Sequence, residues 1–138
     1  MNTLQLLSFG GALPQNKVTN NDLAKIVETS DEWIKSRTGI AERRFCAEGE
    51  TASKLAIRAA AQALERSGLQ AQDIDCCLCA TLSGEWAAPS TACLVQRALG
   101  LRENIPVMDV NAACSGFLYG LAAAKGLLEQ TGGKYALV

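Results

Sequence analysis

Two apolar periods take turns along this chain. From Thr51 to Ser67 the residues Ala52, Leu55, Ala56, Ala59, Ala60, Ala63 and Leu64 keep a three-four spacing, which predicts one long helix closed by Gly68. Its alanine-rich stripe implies close packing against a sheet. Ile74 to Thr81 is a short apolar run, as is Ile105 to Val110, and each reads as a buried strand. A helix capped by Ser90 or Thr91 runs to Leu99 and stops at Gly100. Another spans about Ser115 to Gln130, broken by Gly132-Gly133, and Lys134 to Val138 begins a further strand. Before these, Leu4 to Phe9 reads as a first strand. Thr19 to Asp22 reads as a capping box opening a short helix with Leu23, Ile26 and Val27 on one face. Thr29 reads as a second cap, with Glu32 three residues on, and Glu42 to Cys46 as a short strand.

Strands alternating with helices predict an α/β layered fold with a mostly parallel sheet flanked by helices. The 138 residues suffice for one domain and one core. The last residues, Tyr135-Ala136-Leu137-Val138, fall inside an expected core strand. Residues 1–138 therefore read as the N-terminal part of a longer domain whose C-terminal half is absent.

Charge changes the picture little. Thirteen Lys and Arg against fourteen Asp and Glu give a net charge of −1, with the basic residues scattered. That points to neither a nucleic-acid footprint nor a membrane-binding patch. No apolar run approaches a membrane span, and the N-terminus lacks a signal peptide's early positive charge. The expectation is a cytoplasmic protein whose six cysteines stay reduced.

The cysteines carry the candidate chemistry. Cys76 and Cys79 have C-x-x-C spacing, but on a strand they point to opposite faces and cannot share one metal ion. They read as core. Cys114 differs. It stands in Asn111-Ala112-Ala113-Cys114-Ser115-Gly116-Phe117, where a strand turns into a helix. A thiol there faces the helix's unpaired N–H groups and positive dipole end, which favour thiolate. Small neighbours leave room for a ligand. This is how a nucleophile is mounted, although a free cysteine can equally fill core space. The chain has no histidine, so it cannot supply a Cys–His pair by itself.

The segments ALPQNKVTNNDLAKIVETSDEWIKSRTGIAERR, APSTACLVQRALG, DVNAACSGFLYGL and KYALV resemble the N-terminal part of β-ketoacyl-acyl-carrier-protein synthase III, a condensing enzyme of the thiolase fold. The resemblance covers essentially the whole chain. It implies an acyltransferase of fatty acid biosynthesis and lipid metabolism. Such an enzyme accepts an acyl group from acyl-CoA on a cysteine, here Cys114. It then condenses that group with malonyl-acyl carrier protein and releases carbon dioxide. Acyl-CoA and acyl carrier protein are substrates, no resident cofactor or metal is implied, and a cytoplasmic homodimer is. The motif D-E-W-x-x-x-R places coenzyme A binding on Trp33 and Arg37, with Thr29 nearby. Trp33 offers a face for adenine and Arg37 a fork for phosphate. By residue type alone Trp33 reads as core.

Two features depart from the family pattern. The family's catalytic histidine and asparagine lie in the second half of its chain, so residues 1–138 alone are expected not to condense. The familiar enzymes often carry a phenylalanine before the proline at position 89, reaching across the dimer into the partner's acyl pocket. Here Ala88 stands there, with Trp86 two residues earlier. Acyl preference is thereby open. Two other readings stand beside the first. One is a specialised relative starting a polyketide or quinolone-type product, or moving acyl groups without condensing. The other is a non-catalytic partner half.

Overall fold

The computed structural model describes residues 3–138. The chain divides into two compact units: Leu13–Glu50, and Thr51–Val138 together with the segment ending at Ala12.

The larger unit is built on a three-stranded sheet. β3 (Cys76–Ala80) lies between β4 (Val107–Val110) and β5 (Ala136–Leu137), and both pairings are parallel. Alternation along β3 sends side chains to two cores. On one face Cys77 joins Ile74, Ala92, Val95 and Leu101, with Ala56, Ile57, Ala60 and Leu64 against them. Ala56, Ile57, Ala60 and Leu64 come from α3 (Ala52–Ser67), and Ala92 and Val95 from α4 (Thr91–Leu99). On the other face Cys76 and Leu78 meet Ala124 and Leu128 of α5 (Gly116–Thr131). Two helices, a sheet and one helix form three layers, the α/β architecture the alternating pattern implies. Cys76 and Cys79 take opposite faces, as strand geometry demands.

The helix stops follow the sequence signals, and α3 begins at Ala52, one residue after the expected Thr51, which serves as its cap. Thr51 and Ser90 cap α3 and α4, and Gly68, Gly100 and Gly132 close α3, α4 and α5 in the left-handed conformation. Leu4 to Phe9 departs from expectation. It forms no strand, and Leu6 and Phe9 are each 73% exposed. The segment instead runs along α3. The Ser8 hydroxyl donates to the Ala63 carbonyl at 2.7 Å, and Arg66 donates to the Phe9 carbonyl at 2.8 Å. Gly10 presses so close that a Cβ there would meet the Ala59 oxygen. Part of the alanine stripe therefore packs against backbone, where only small side chains fit, and not against the sheet.

In the smaller unit, β1 (Asn16–Thr19) pairs antiparallel with β2 (Glu42–Phe45). Between them lie α1 (Asn20–Leu23) and α2 (Asp31–Thr38). Thr19 and Asp22 form the expected capping box, but α1 ends at Leu23. Ile26 and Val27 lie beyond it and are 72% and 54% exposed, so no apolar face carries the helix onward. The cap of α2 is Ser30, not Thr29: Ser30 Oγ accepts from the Trp33 N–H at 3.1 Å. Ser30 stands three residues before Trp33, the spacing at which an N-cap hydroxyl reaches a backbone N–H, whereas Thr29 stands four before it.

Candidate active site

Cys114 stands at the end of β4, where the chain must reverse from strand to helix within a few residues. The reversal is made by Ala113, whose φ of 45° is left-handed. A residue with a Cβ pays about 1 kcal/mol or more for that conformation. A short 3-10 turn, Ala113–Ser115, then leads into α5. The helix begins at Gly116, one residue later than its apolar pattern suggests. Its first turn lies tight on the sheet: a Cβ on Gly116 would sit 3.2 Å from Cβ of Ala80. This close seat holds the turn, and the turn leaves Cys114 exposed.

The contrast with the strand thiols is chemical. Cys76 and Cys77 are buried. Burial pushes the Cys77 thiol up to about 12 and those of Cys76 and Cys79 to about 11, so they stay protonated at neutral pH. Cys93 is half-buried beside Ser90, whose hydroxyl lies 3.1 Å from its sulfur. The core-filling reading holds for the strand cysteines and fails for Cys114.

One residue the sequence reading missed holds this region together. Asp109, on β4, accepts from the Thr91 and Ala92 N–H groups through its two oxygens, each at 2.8 Å. It thus caps α4 from another element, and its anionic charge suits the helix's positive end. The loop before α4 contains the candidates Trp86 and Ala88. Both are exposed, Trp86 at 65%, and the Ala88–Pro89 peptide is cis.

Thr29, Trp33 and Arg37 belong to the smaller unit. The guanidinium of Arg37 lies over the Trp33 ring, 4.5 Å from its centroid, as residues one turn apart allow. Trp33 is 53% exposed, and no residue of α2 is buried. The core reading of Trp33 is therefore wrong: the helix presents an aromatic face and a cation to solvent. The Thr29 hydroxyl is buried without a hydrogen-bond partner. Asn20, wholly buried, orients α2: its amide donates to Asp31 and to the Ile40 carbonyl, each at 2.8 Å, while its oxygen accepts from Arg43. Sequence reading missed Asn20 too, because asparagine within a cap region reads as a surface residue.

Two shallow depressions, of about 350 and 370 Å³, flank the Gly132–Lys134 turn and include none of the candidate residues. Among the described residues no cluster of His, Cys, Asp or Glu is disposed to hold a metal ion, and no helix is long and apolar enough to cross a membrane.

Residues 108–138, which run through Cys114, match the family model described as 3-oxoacyl-[acyl-carrier-protein] synthase III. A β-ketoacyl-[acyl-carrier-protein] synthase III of Oceanobacillus iheyensis is 50% identical over 133 residues, 96% of this chain and 42% of that protein. Along nearly its whole length the chain is similar in sequence to β-ketoacyl-[acyl-carrier-protein] synthase III proteins. It spans about two-fifths of the length of the curated relatives it matches. The crystal structure of the Aquifex aeolicus synthase III superposes with a TM-score of 0.84 at 44% identity, over 91% of this chain and 40% of that one. The priming β-ketosynthase from the R1128 polyketide pathway superposes at 0.81 with 29% identity, over 86% of this chain and 35% of that one. The fold is accordingly the thiolase-like α/β fold seen in these solved structures.

Proposed function

We propose that this chain carries the acyl-accepting part of a chain-initiating condensing enzyme. The observation that supports this most is the mounting of Cys114: one exposed thiol at a strained strand-to-helix turn, inside the stretch that matches the synthase III family. In this reading the Cys114 thiolate attacks the carbonyl of an acyl-CoA. The thioester carbon–sulfur bond breaks, coenzyme A leaves as its thiol, and an acyl-Cys114 thioester forms. Malonyl-acyl carrier protein then loses carbon dioxide, and its carbanion attacks the acyl carbonyl. Cys114 leaves, and the product is a 3-oxoacyl-acyl carrier protein. The carbanion needs donors on its thioester oxygen. The synthase III resemblance assigns that task to a histidine and an asparagine outside residues 1–138.

Coenzyme A binding falls to Thr29, Trp33 and Arg37. The exposed Trp33 face suits adenine and the Arg37 guanidinium suits phosphate, with the unpartnered Thr29 hydroxyl as a further donor. Acyl carrier protein and a second copy of the chain are the protein partners, in the cytoplasm. The test is mass spectrometry of the whole protein after incubation with an acyl-CoA. One acyl adduct should map to Cys114 and vanish in Cys114→Ser. An unmodified Cys114 would end this reading.

A specialised starter enzyme, for a polyketide or quinolone-type product, is the second reading. Ala88 in the place of a bulkier side chain favours it by opening room for a larger acyl group. A non-catalytic partner half is disfavoured, since such a subunit has no use for a strained, exposed thiol.

A further inference from the structure

Strand β3 ends on Ala80, an exposed alanine. Alanine is a poor strand former, and an exposed one fills no core. Its surroundings account for its size. Ala80 pairs with Val110, the last residue of β4, and the next N–H along, that of Thr81, donates to the Val110 carbonyl at 3.2 Å. Alternation along β3 turns Ala80 to the face of Cys76 and Leu78, which α5 covers. There it meets Gly116, the first residue of α5. A Cβ on Gly116 would sit 3.2 Å from the Ala80 Cβ, tighter than the roughly 3.5–4.0 Å at which carbons rest. The chain therefore leaves β4 and enters α5 over one and the same residue. Cys114 lies inside that closure, beside the left-handed Ala113. The head of α5 has no cap to fix it: Ser115 makes no side-chain hydrogen bond there, whereas Thr51 and Ser90 serve α3 and α4. The far half of α5 is held on Cys76 and Leu78 by Ala124 and Leu128, so a push at Gly116 is taken up at the turn.

We propose that Ala80 is a positioning residue for the nucleophile: as the common support of the last residue of β4 and the first of α5, it sets the span that the Cys114 turn must close, and so where the sulfur stands toward an acyl carbonyl. The inference rests on the acyl-transfer reading above. A role in stability alone does not account for the pair. A β-branched residue suits a strand better than alanine, and alanine suits a helix better than glycine. Ala80 and Gly116 both give up propensity, and what they share is the turn that carries Cys114.

The test is single-turnover acylation of Cys114 by acetyl-CoA in the whole protein, read by mass spectrometry as a maximal rate and a half-saturating concentration. Gly116→Ala puts a methyl into the 3.2 Å gap and must move the start of α5 by a few tenths of an ångström. Misplacement by roughly 1 Å can cost about 100-fold, so the maximal rate should fall about tenfold with the half-saturating concentration unchanged. Ala80→Gly combined with Gly116→Ala moves the methyl to the other side of the contact and should restore most of the rate. Ala80→Val crowds the contact from a strand position that accepts β-branched residues. It should slow acylation likewise, and it keeps the test open if Gly116→Ala folds poorly. Iodoacetamide needs access to the thiol and no alignment, so its rate at Cys114 should stay within about twofold of wild type in every variant. Leu128→Val loosens α5 at its far end and should lower the urea midpoint without slowing acylation. Four results would each overturn the positioning role while leaving acyl transfer in place: a wild-type rate in either crowding variant, a double variant that stays slow, alkylation slowed as much as acylation, or equal slowing in Leu128→Val. No adduct on the wild-type protein would overturn the acyl-transfer reading, and the positioning role with it.

Discussion

Removing the Asp109 carboxylate should cost more stability than removing the hydroxyl cap of the same helix. Asp109 receives two N–H groups at 2.8 Å, those of Thr91 and Ala92, which are 2% and 0% exposed. In Asp109→Ala both donors are stranded where water does not reach. Each orphaned buried donor costs about 1–3 kcal/mol, and the lost charge at the helix end adds about 0.3–1 kcal/mol. The sum is about 2–7 kcal/mol, a large part of the ~5–15 kcal/mol that holds a typical protein folded. Ser90→Ala, by contrast, removes one acceptor at 3.3 Å from the Cys93 N–H and should cost about 1 kcal/mol. Asp109→Asn should fall between, because one amide oxygen can serve only one of the two donors well. Urea unfolding of the whole protein, followed by far-UV circular dichroism, ranks the three variants by midpoint at unchanged slope. Hydrogen exchange localises the effect. The Thr91 and Ala92 amides should exchange at least about tenfold faster in Asp109→Ala, the factor for each 1.4 kcal/mol of local opening. Asp109→Ala matching Ser90→Ala in both measurements would refute the reasoning, and would mean that water or another group replaces the carboxylate.

Iodoacetamide at neutral pH should label Cys114 and leave Cys76, Cys77 and Cys79 unmodified, since their burial and raised thiol values protect them. Cys46 is also exposed, so labelling of Cys46 ahead of Cys114 would count against a nucleophile's setting. Trp33→Ala and Arg37→Ala should each raise the KM for acyl-CoA, by about 1–3 kcal/mol of lost contact, with kcat less affected; unchanged kinetics would take α2 out of the binding site. Acid should weaken the seating of β5. Burial raises the Asp75 carboxyl, but the N–H groups of Lys134 and Tyr135 and the Arg102 guanidinium outweigh it and leave it below the ordinary range. Its contribution is therefore full above the unfolded value of about 4 and lost as pH falls through the lower folded one. Asp75→Asn should flatten that acid limb, and parallel pH profiles for variant and wild type would contradict the assignment.

What the sequence made legible is local. The Thr19 capping box and stops such as Gly68 and Gly100 act on their own helix within four residues, and the structure keeps them; of Ser90 and Thr91 it takes Ser90 as the cap. The strand turn at Cys114 is likewise written in adjacent residues. The apolar strand runs separated Cys76 from Cys79 correctly, because alternation needs no knowledge of the partners. Leu4 to Phe9 was misread because a strand is decided by what pairs with it. In the structure its hydrogen bonds run to α3, and its leucines stay exposed. Thr29 was misread because Thr29 and Ser30 both qualify as caps, and only backbone geometry decides between neighbours.

The residues that position the candidate site share a device that no local pattern reveals. Three carboxylates each accept hydrogen bonds from an element far along the chain. Glu85 takes Ser53 on α3, Asp109 takes Thr91 and Ala92 on α4, and Asp75 takes Lys134 and Tyr135 at the entry to β5. In sequence each is an isolated acid that would read as a solvated charge. In the fold each neutralises backbone donors that a helix start or strand entry cannot satisfy by itself. Two of the three bear on the candidate site. Asp109 fixes the start of α4 from the strand that ends in the Cys114 turn, and Glu85 fixes the loop that presents Trp86. A hydroxyl could cap either helix, but it offers weaker acceptance and reaches only its own chain neighbours. A carboxylate reaches across elements and binds two donors at once. The same bonds that satisfy helix ends thus set where the Trp86 loop stands relative to β4.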